Sequence, residues 1–142
     1  MSEQAGHTSV SVITYDLAAR IVAVAMEVAE QAEVRAVVTV ADPALAVVAF
    51  GRADGATPHS AETSRRKAMT AASTRKPSAA MAPELAVALE HGTGGLLTSI
   101  PGGLPIIVDG THIGGLGVAG GHPDQDAEIA EQVLTQIGTV GT

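Results

Sequence analysis

The sequence contains neither cysteine nor tryptophan, and it has one tyrosine, Tyr15, and one phenylalanine, Phe50. The absence of cysteine excludes disulfides, thiolate nucleophiles, iron–sulfur clusters and zinc sites with cysteine ligands. Any metal site must therefore be built from histidine, aspartate or glutamate side chains.

Basic residues are also scarce, with eight Lys and Arg against fifteen Asp and Glu, and the formal net charge is −7 over 142 residues. This balance disfavours broad electrostatic attraction to nucleic acid or to anionic lipid, so neither is expected as a partner. No apolar run approaches the roughly 20 residues that a membrane helix needs. Residues 1–7 lack the basic and apolar segments of a secretory signal, so a cytoplasmic location is expected.

Hydrophobic residues make up 46% of the chain, and almost all of them are aliphatic. Residues 1–9 are small and polar without periodicity, which predicts a flexible tail, and residues 10–142 are predicted to form one domain. Apolar burial contributes roughly 25 cal/mol per Å², and small side chains bury little area each. Because self-association buries more surface, a homo-oligomer is expected.

The spacing of apolar residues predicts helices over residues 15–33 and 123–137, with Thr14 as the first N-cap. Helix-compatible residues with Ser60 as a possible cap predict a helix over residues 60–73, and residues 83–90 are predicted to form a short helix ended by His91-Gly92. Two hairpins are predicted, one from residues 35–41 and 45–50, the other from residues 106–108 and 112–119. Residues 9–13 alternate like a short strand. Residues 101–105 are too rich in glycine and proline for regular structure. Hairpins and helices in this order indicate an α+β fold with an antiparallel sheet.

Five of the eight basic residues fall within twelve positions, in and just after the second predicted helix: Arg65, Arg66, Lys67, Arg75 and Lys76. In an acidic protein such a cluster predicts a local anion-facing surface, since guanidinium and ammonium groups make charge-assisted hydrogen bonds to carboxylates. A solvated helix face, or salt bridges to acidic residues of another subunit, would explain the same run.

Several motifs along nearly the whole chain resemble the GlcG/HbpS family, whose relatives include the C-terminal domain of PduO-type corrinoid adenosyltransferases. The resemblance is carried by residues 30–33, by the strand pair of residues 37–42 and 47–55, by residues 66–71, and above all by residues 101–126. Within that last run stand Pro101-Gly102-Gly103-Leu104-Pro105, Asp109-Gly110, Ile113-Gly114-Gly115-Leu116-Gly117, Gly120-Gly121 and Asp124-Gln125-Asp126.

The resemblance implies a profilin-like fold, in which a five-stranded antiparallel sheet lies between helices in α/β/α layers, and a homo-oligomeric assembly. It also implies binding or handling of a tetrapyrrole, most directly haem, because members of the family are described as binding or degrading haem. Lys67 is favoured as a functional residue since the matching lysine of the family faces the pocket.

The chain departs from the family pattern at His122, where a small hydroxyl residue commonly follows the glycine pair, and at His112. His122 is therefore the candidate haem-iron ligand, or else a catalytic acid–base group beside Lys67. Arg66 and Lys67 are candidates for binding an anionic group. The glycines 102, 103, 120 and 121 are predicted to let a planar ligand approach the backbone.

Two alternatives to haem binding stay open at this point. The first is a cofactor-free enzyme acting on a small organic acid or related metabolite, with His122 as acid–base group and Arg66 or Lys67 holding the anion. The second is a non-catalytic, oligomeric accessory subunit of a catabolic pathway. For His122 a simpler interpretation is a solvent-exposed residue at a helix entry. The three acidic residues that follow it disfavour phosphate, so nucleotide binding is not expected.

Overall fold

The computed structural model describes residues 6–139. Four helices are present in this part of the chain: α1 (Tyr15–Gln31), α2 (Ser60–Thr74), α3 (Pro83–Gly92) and α4 (Pro123–Ile137). Four strands accompany them: β1 (Val37–Ala41), β2 (Val47–Arg52), β3 (Gly103–Val108) and β4 (Thr111–Ala119). None of these helices is both long and apolar enough to cross a membrane.

The strands form one antiparallel sheet in the order β2-β1-β4-β3. Both predicted hairpins are confirmed, and each is closed by turn residues that the sequence supplies. The Asp42 carboxylate accepts hydrogen bonds from the backbone N–H groups of Ala44 (2.9 Å) and Ala46 (3.1 Å). Asp109 and Gly110 both have positive φ, as a tight turn between strands requires.

Helices cover the sheet on both faces, as the predicted α/β/α layers require. The face covered by α1 and α4 holds the larger core, in which Val38, Val40 and Leu116 belong to one buried cluster with residues of both helices. The opposite face is covered by α2, where Thr39 of β1 forms a 2.8 Å hydrogen bond with Ser64. The α+β class is confirmed, whereas the profilin-like assignment stays a prediction.

The prediction of a five-stranded sheet is wrong for the described residues, which form four strands. Residues 9–13 do not form a ladder, and their one backbone bond to the sheet runs from the Ile13 N–H to the Ile113 carbonyl oxygen at 3.0 Å. Ile113 lies beyond the point where Ala41 pairs with Gly115, so β1 leaves that carbonyl free. From Gly115 to Gly117, β4 already has β1 on one side and β3 on the other, so no place is left there for another strand.

The prediction of irregular structure over residues 101–105 is also wrong, since β3 begins at Gly103. Bonds to distant parts of the chain fix this start: the Gly103 N–H donates to Ser78 Oγ (2.9 Å) and the Val118 N–H donates to the Gly102 carbonyl (2.9 Å). Pro105 is tolerated because β3 is an edge strand, where a missing N–H costs no ladder bond.

The predicted tail is tested only in part by the structure. Residues 6–9 are exposed and lie outside helices and strands, while residues 1–5 fall outside the described part of the chain. The boundary between a tail of residues 1–9 and a domain of residues 10–142 therefore stays a prediction.

Helix α2 lies directly on the backbone of β4, because β4 carries glycine where side chains would face the helix. A Cβ atom added at Gly117 would collide with the Ser64 carbonyl and stand 2.6 Å from the Ala68 nitrogen. At Gly115 it would meet the backbone of Ala68 and Ala72. The helix can approach this closely only while these positions lack side chains.

We expect Gly117→Ala to lower the free energy of unfolding by about 1–3 kcal/mol, because overpacking would push α2 off the sheet. Urea denaturation followed by circular dichroism measures the effect. Gly92→Ala is the matched control, since an added Cβ there meets nothing within 4 Å. Equal stability of the two variants would contradict the close packing of α2 on β4.

Candidate functional site

A cleft runs along the N-terminal half of α2 and consists of two adjoining compartments. We call the larger, of about 540 Å³, the apolar compartment because Val87, Leu97 and Ile100 line it. The smaller, of about 380 Å³, is the polar compartment, with Lys67 and Asp126 among its lining residues. His59, Thr63 and Ile100 line both, so the two compartments form one continuous site.

Lys67 is one of the largest fully buried side chains, with 1% of its surface exposed. Its Nζ donates to the Val118 carbonyl at 2.8 Å and to Asp126 Oδ2 at 3.2 Å. Burial lowers the pKa of Lys67 from its ordinary value, and the attraction of Asp126 opposes that shift. The ammonium group therefore depends on the Asp126 carboxylate to stay charged in this position.

Asp126 connects the buried lysine to the loop before α4. Its other oxygen, Oδ1, accepts a 2.9 Å hydrogen bond from the Gly121 N–H, and the side chain is 2% exposed. From the sequence, Asp126 was expected only to be one of the acidic residues in the first turns of the last helix. Its spacing to Ala130 and Val133 on the apolar face of α4 was the signal that it would be buried and would need a partner.

The predicted glycines divide into two groups in the structure. Gly120 and Gly121 line the polar compartment, as expected of residues beside a ligand. Gly102 and Gly103 instead pack behind Lys67: a Cβ at Gly102 would lie 2.8 Å from Lys67 Nζ, and one at Gly103 would meet the Lys67 backbone. They make room for the lysine.

Arg66 lines the apolar compartment, but both Arg66 and Arg65 are hydrogen-bonded to Glu62. Glu62 Oε2 accepts from Arg66 Nε at 2.8 Å and from the Arg65 guanidinium at 2.6 Å. These two bonds lower the pKa of Glu62 to about 2. The basic cluster of the sequence is thus partly neutralised within α2, and Arg66 retains only part of its capacity for an anionic ligand.

His122 lies at the rim of the cleft with its side chain 72% exposed, between the lining residues Gly121 and Pro123. Its Nδ1 accepts a 3.2 Å hydrogen bond from the Asp124 N–H, so the ring is the N-cap of α4. His112 lies elsewhere, at the far end of α2, where its Nε2 is 2.8 Å from the Ala72 carbonyl.

The imidazoles that do line the cleft are His59, shared by both compartments, and His91 of the apolar compartment. Sequence reasoning gave both little weight, and it did not single out the hydroxyl groups of Thr57, Ser60 and Thr63. All of these residues except His91 precede or begin α2, and no spacing in the sequence shows that this end of the helix faces the loop before α4.

Two other observations limit where a site can be. Another cavity, of about 860 Å³, lies between the end of α1 and the end of β2, and none of the predicted catalytic, ligand-binding or metal-binding residues lines it. Within residues 6–139, no group of three or more His, Asp or Glu side chains is placed to hold a metal ion. The cleft along α2 is therefore the candidate site.

We expect Lys67→Met to cost about 3–5 kcal/mol of unfolding free energy, because it leaves the Asp126 charge buried without its partner. Adding Asp126→Asn should restore part of that loss, since asparagine is neutral and keeps an acceptor for the Gly121 N–H. Guanidinium denaturation measures both variants, with Lys76→Met at an exposed lysine as the control. A Lys67→Met variant as stable as the control would contradict the role of the buried pair.

Similarity to known proteins agrees with the resemblance seen in the sequence. A crystal structure of a double mutant of HbpS from Streptomyces reticuli superposes with a TM-score of 0.83 at 30% identity, covering 94% of this chain and 92% of that one. A structure described as a PduOC:heme complex gives 0.83 at 28% identity, covering 92% and 98%. The Klebsiella pneumoniae protein ORFY gives 0.83 at 26% identity, covering 95% and 97%.

No curated protein shows significant sequence similarity to the chain. The family described as "Haem degrading protein HbpS-like" matches residues 13–135, which is most of the described domain. By this match and by the structural similarity to HbpS, the chain belongs to the HbpS-like family.

Proposed function

We propose that the protein binds haem, or handles a related tetrapyrrole, in the cleft along α2. The observation that carries the proposal is the match of residues 13–135 to a haem-degrading family, together with a 28% identical structure that is a haem complex. The fold alone would not decide between the many ligands that one architecture can accept. The chemistry of the cleft supplies the second line of support.

The cleft residues fit the chemical groups of haem. Val87 is 78% exposed and Ile100 39% exposed, and both line the apolar compartment, so this wall presents apolar surface that a macrocycle would cover. Arg66 and Lys67 are cations beside it, and His59, His91 and His122 line or border the site. The compartments of about 540 and 380 Å³ each fall within the range of about 300–1,000 Å³ that is usual for ligand sites.

His122 is the proposed iron ligand, with its Nε2 free toward solvent. Nδ1 accepts from the Asp124 N–H, so the neutral ring carries its proton on Nε2. Ligation through Nε2 would require the tautomer with the proton on Nδ1, which gives up the bond from the Asp124 N–H and turns the Nδ1–H toward the Asp124 carboxylate, 3.9 Å away, as hydrogen-bond acceptor. Such a carboxylate behind a ligating imidazole orients the ring and increases its basicity. Bound haem would supply the iron centre, whose reactivity depends on its axial ligand and surroundings.

We expect the purified protein to give a saturable shift of the Soret band on haem titration, and His122→Ala to alter that spectrum and weaken binding. His7→Ala is the control, because His7 lies in the exposed N-terminal segment. His59→Ala tests the other rim imidazole in the same way. A normal spectrum in His122→Ala but an altered one in His59→Ala would transfer the ligand role to His59.

A cofactor-free enzyme acting on a small organic acid is the second candidate, and the polar compartment favours it. Lys67 and the nearby hydroxyl groups provide hydrogen-bond donors for an anion, with His59 as the imidazole inside the compartment and His122 at its rim. Absence of saturable haem binding, together with turnover of an organic acid that His122→Ala or His59→Ala abolishes, would favour this candidate. If neither variant changes anything but assembly, an accessory subunit is the remaining alternative.

We propose that the protein's partner is a second copy of itself. Several large apolar side chains are exposed, among them the only phenylalanine, Phe50, and on α3 Leu85, Val87 and Leu89. Of the ten residues of α3, only Ala86 is buried. An assembly that covers such residues would add stabilisation to a core built from small side chains.

We expect light scattering to give a mass that is a multiple of the chain mass, and urea midpoints to rise with protein concentration. Association that contributes to stability makes unfolding concentration-dependent, whereas a monomer unfolds independently of concentration. The proposal would be contradicted by a single-chain mass at every concentration from a few micromolar to about 100 times that value. Specific oligomers persist over roughly this range.

A further inference from the structure

We propose that the polar compartment is a carboxylate-binding subsite. It deepens the proposed function by naming what binds at this end of the cleft, which is either a propionate group of a tetrapyrrole or the carboxylate of a free small acid. Only the first of these two ligands rests on the proposed function. The inference depends on donors that Lys67, Thr57 and Ser60 leave available, and on two helices that begin at the compartment.

The Lys67 ammonium group has one more N–H than its recorded partners use. An ammonium group carries three donors. Two are accounted for by the Val118 carbonyl (2.8 Å) and by Asp126 Oδ2 (3.2 Å), the only partners recorded among residues 6–139. Lys67 is 1% exposed and lines the compartment, so its third N–H is available to a ligand bound there.

Thr57 and Ser60 supply a second free donor on the same compartment. Their hydroxyl oxygens are 2.6 Å apart, and only one of the two hydroxyl protons can lie in the bond between them. The other proton is left to donate elsewhere. Ser60 is 3% exposed, so this donor too is held in place on the wall of the compartment.

The helices α2 and α4 both begin at the compartment, which adds positive potential. Ser60 is the first residue of α2 and Pro123 the first of α4, and both line it. A helix N-terminus carries the equivalent of roughly half a positive charge and favours anions. The Lys67–Asp126 pair is neutral as a whole, so the positive potential comes from the two helix termini, and Lys67 adds an unused hydrogen-bond donor.

Two of the nearby carboxylates have partners of their own, and the third, Asp124, is 82% exposed, so that water and salt screen its charge. Asp126 is bound by Lys67 and by the Gly121 N–H, so the pair has no net charge. Glu62, in the first turn of α2, is held by both Arg65 and Arg66. Their repulsion of an incoming anion is therefore reduced, and a single carboxylate is favoured over a phosphate group of higher charge.

The shape of the cleft restricts the rest of the ligand. The polar compartment adjoins the apolar one, because His59, Thr63 and Ile100 line both. A carboxylate held near Lys67 can therefore belong to a molecule whose apolar body extends toward Val87 and Ile100. A haem propionate meets this description, whereas a small monocarboxylic acid would occupy the polar compartment alone.

The test compares haem with haem dimethyl ester, which keeps the macrocycle and iron but lacks free carboxylates, and uses sodium propionate as the small-acid probe. We expect haem to bind about tenfold tighter than the ester, the change typical of losing one hydrogen bond to a charged group. Propionate should shift the backbone amide signals of Gly120 and Gly121 in NMR spectra.

Ser60→Ala and Thr57→Val are the test variants, because each removes a hydroxyl group while the Lys67–Asp126 pair is kept. We expect both to reduce the preference for haem over the ester and to weaken the propionate shifts. Ser73→Ala, the same change at an exposed position of the same helix, should behave as wild type. Lys67→Met is not needed for the decision, since that variant loses stability for its own reason.

Each outcome separates the subsite from the proposed function. Equal binding of haem and ester without propionate shifts overturns the subsite but leaves haem binding in place. Propionate shifts that Ser60→Ala abolishes, with no binding of either tetrapyrrole, support the subsite and overturn the proposed function. Propionate shifts that are the same in wild type and both variants are non-specific and overturn the subsite. No binding of any probe overturns both.

Discussion

The structure depends on the close contact between α2 and the glycine-containing strand β4. Gly115 and Gly117 leave no side chains between the strand and the helix, so the backbone of Ala68 approaches β4 directly. At this distance the side chain of Lys67 reaches across the strand to the Val118 carbonyl. The position of α2 in turn sets one wall of the cleft, because His59, Thr63 and Arg66 lie at or near the start of that helix.

The Lys67–Asp126 pair then fixes the second wall relative to the first. Asp126 belongs to α4 and also binds the Gly121 N–H, so one carboxylate joins α2, α4 and the loop before α4. A buried ion pair is weak evidence for net stabilisation, because desolvation of two charges offsets their attraction. Its geometry is nevertheless specific, since each oxygen of Asp126 has its own partner, Lys67 Nζ for Oδ2 and the Gly121 N–H for Oδ1. We interpret the pair as the element that positions the polar compartment.

Local patterns in the sequence were enough to predict most elements of the fold. Apolar periodicity together with capping and stop signals placed all four α-helices within a few residues of their observed ends, and Asp42 and Asp109 marked the two hairpin turns. Residues 101–105 were wrongly expected to be irregular, because the bonds that start β3 come from Ser78 and Val118, which are distant in sequence. The fifth strand came from family resemblance, whereas residues 9–13 make one backbone bond to β4 and form no ladder.

The candidate site was less predictable for the same physical reason. Lys67 was singled out because its neighbours resemble a family motif, but its partner Asp126 lies 59 residues away and forms no motif with it. Thr57, His59 and Ser60 were not predicted to be site residues, since a hydroxyl group or an imidazole before a helix is usually a cap or a solvated residue. Only the approach of α4 makes these side chains the wall of a compartment.

The two histidines that distinguish this chain show how a hydrogen bond restricts what an imidazole can do. The Ala72 carbonyl can only accept, so His112 Nε2 carries the proton, and its buried Nδ1 has no partner in the described structure. That ring joins β4 to α2, and its remaining nitrogen does not reach solvent. His122 has the opposite arrangement, because its bonded nitrogen accepts from the helix and its other nitrogen faces solvent at the rim. Of the two imidazoles, His122 alone has a nitrogen that an external ligand can reach, and using it exchanges a helix cap for a bond to that ligand.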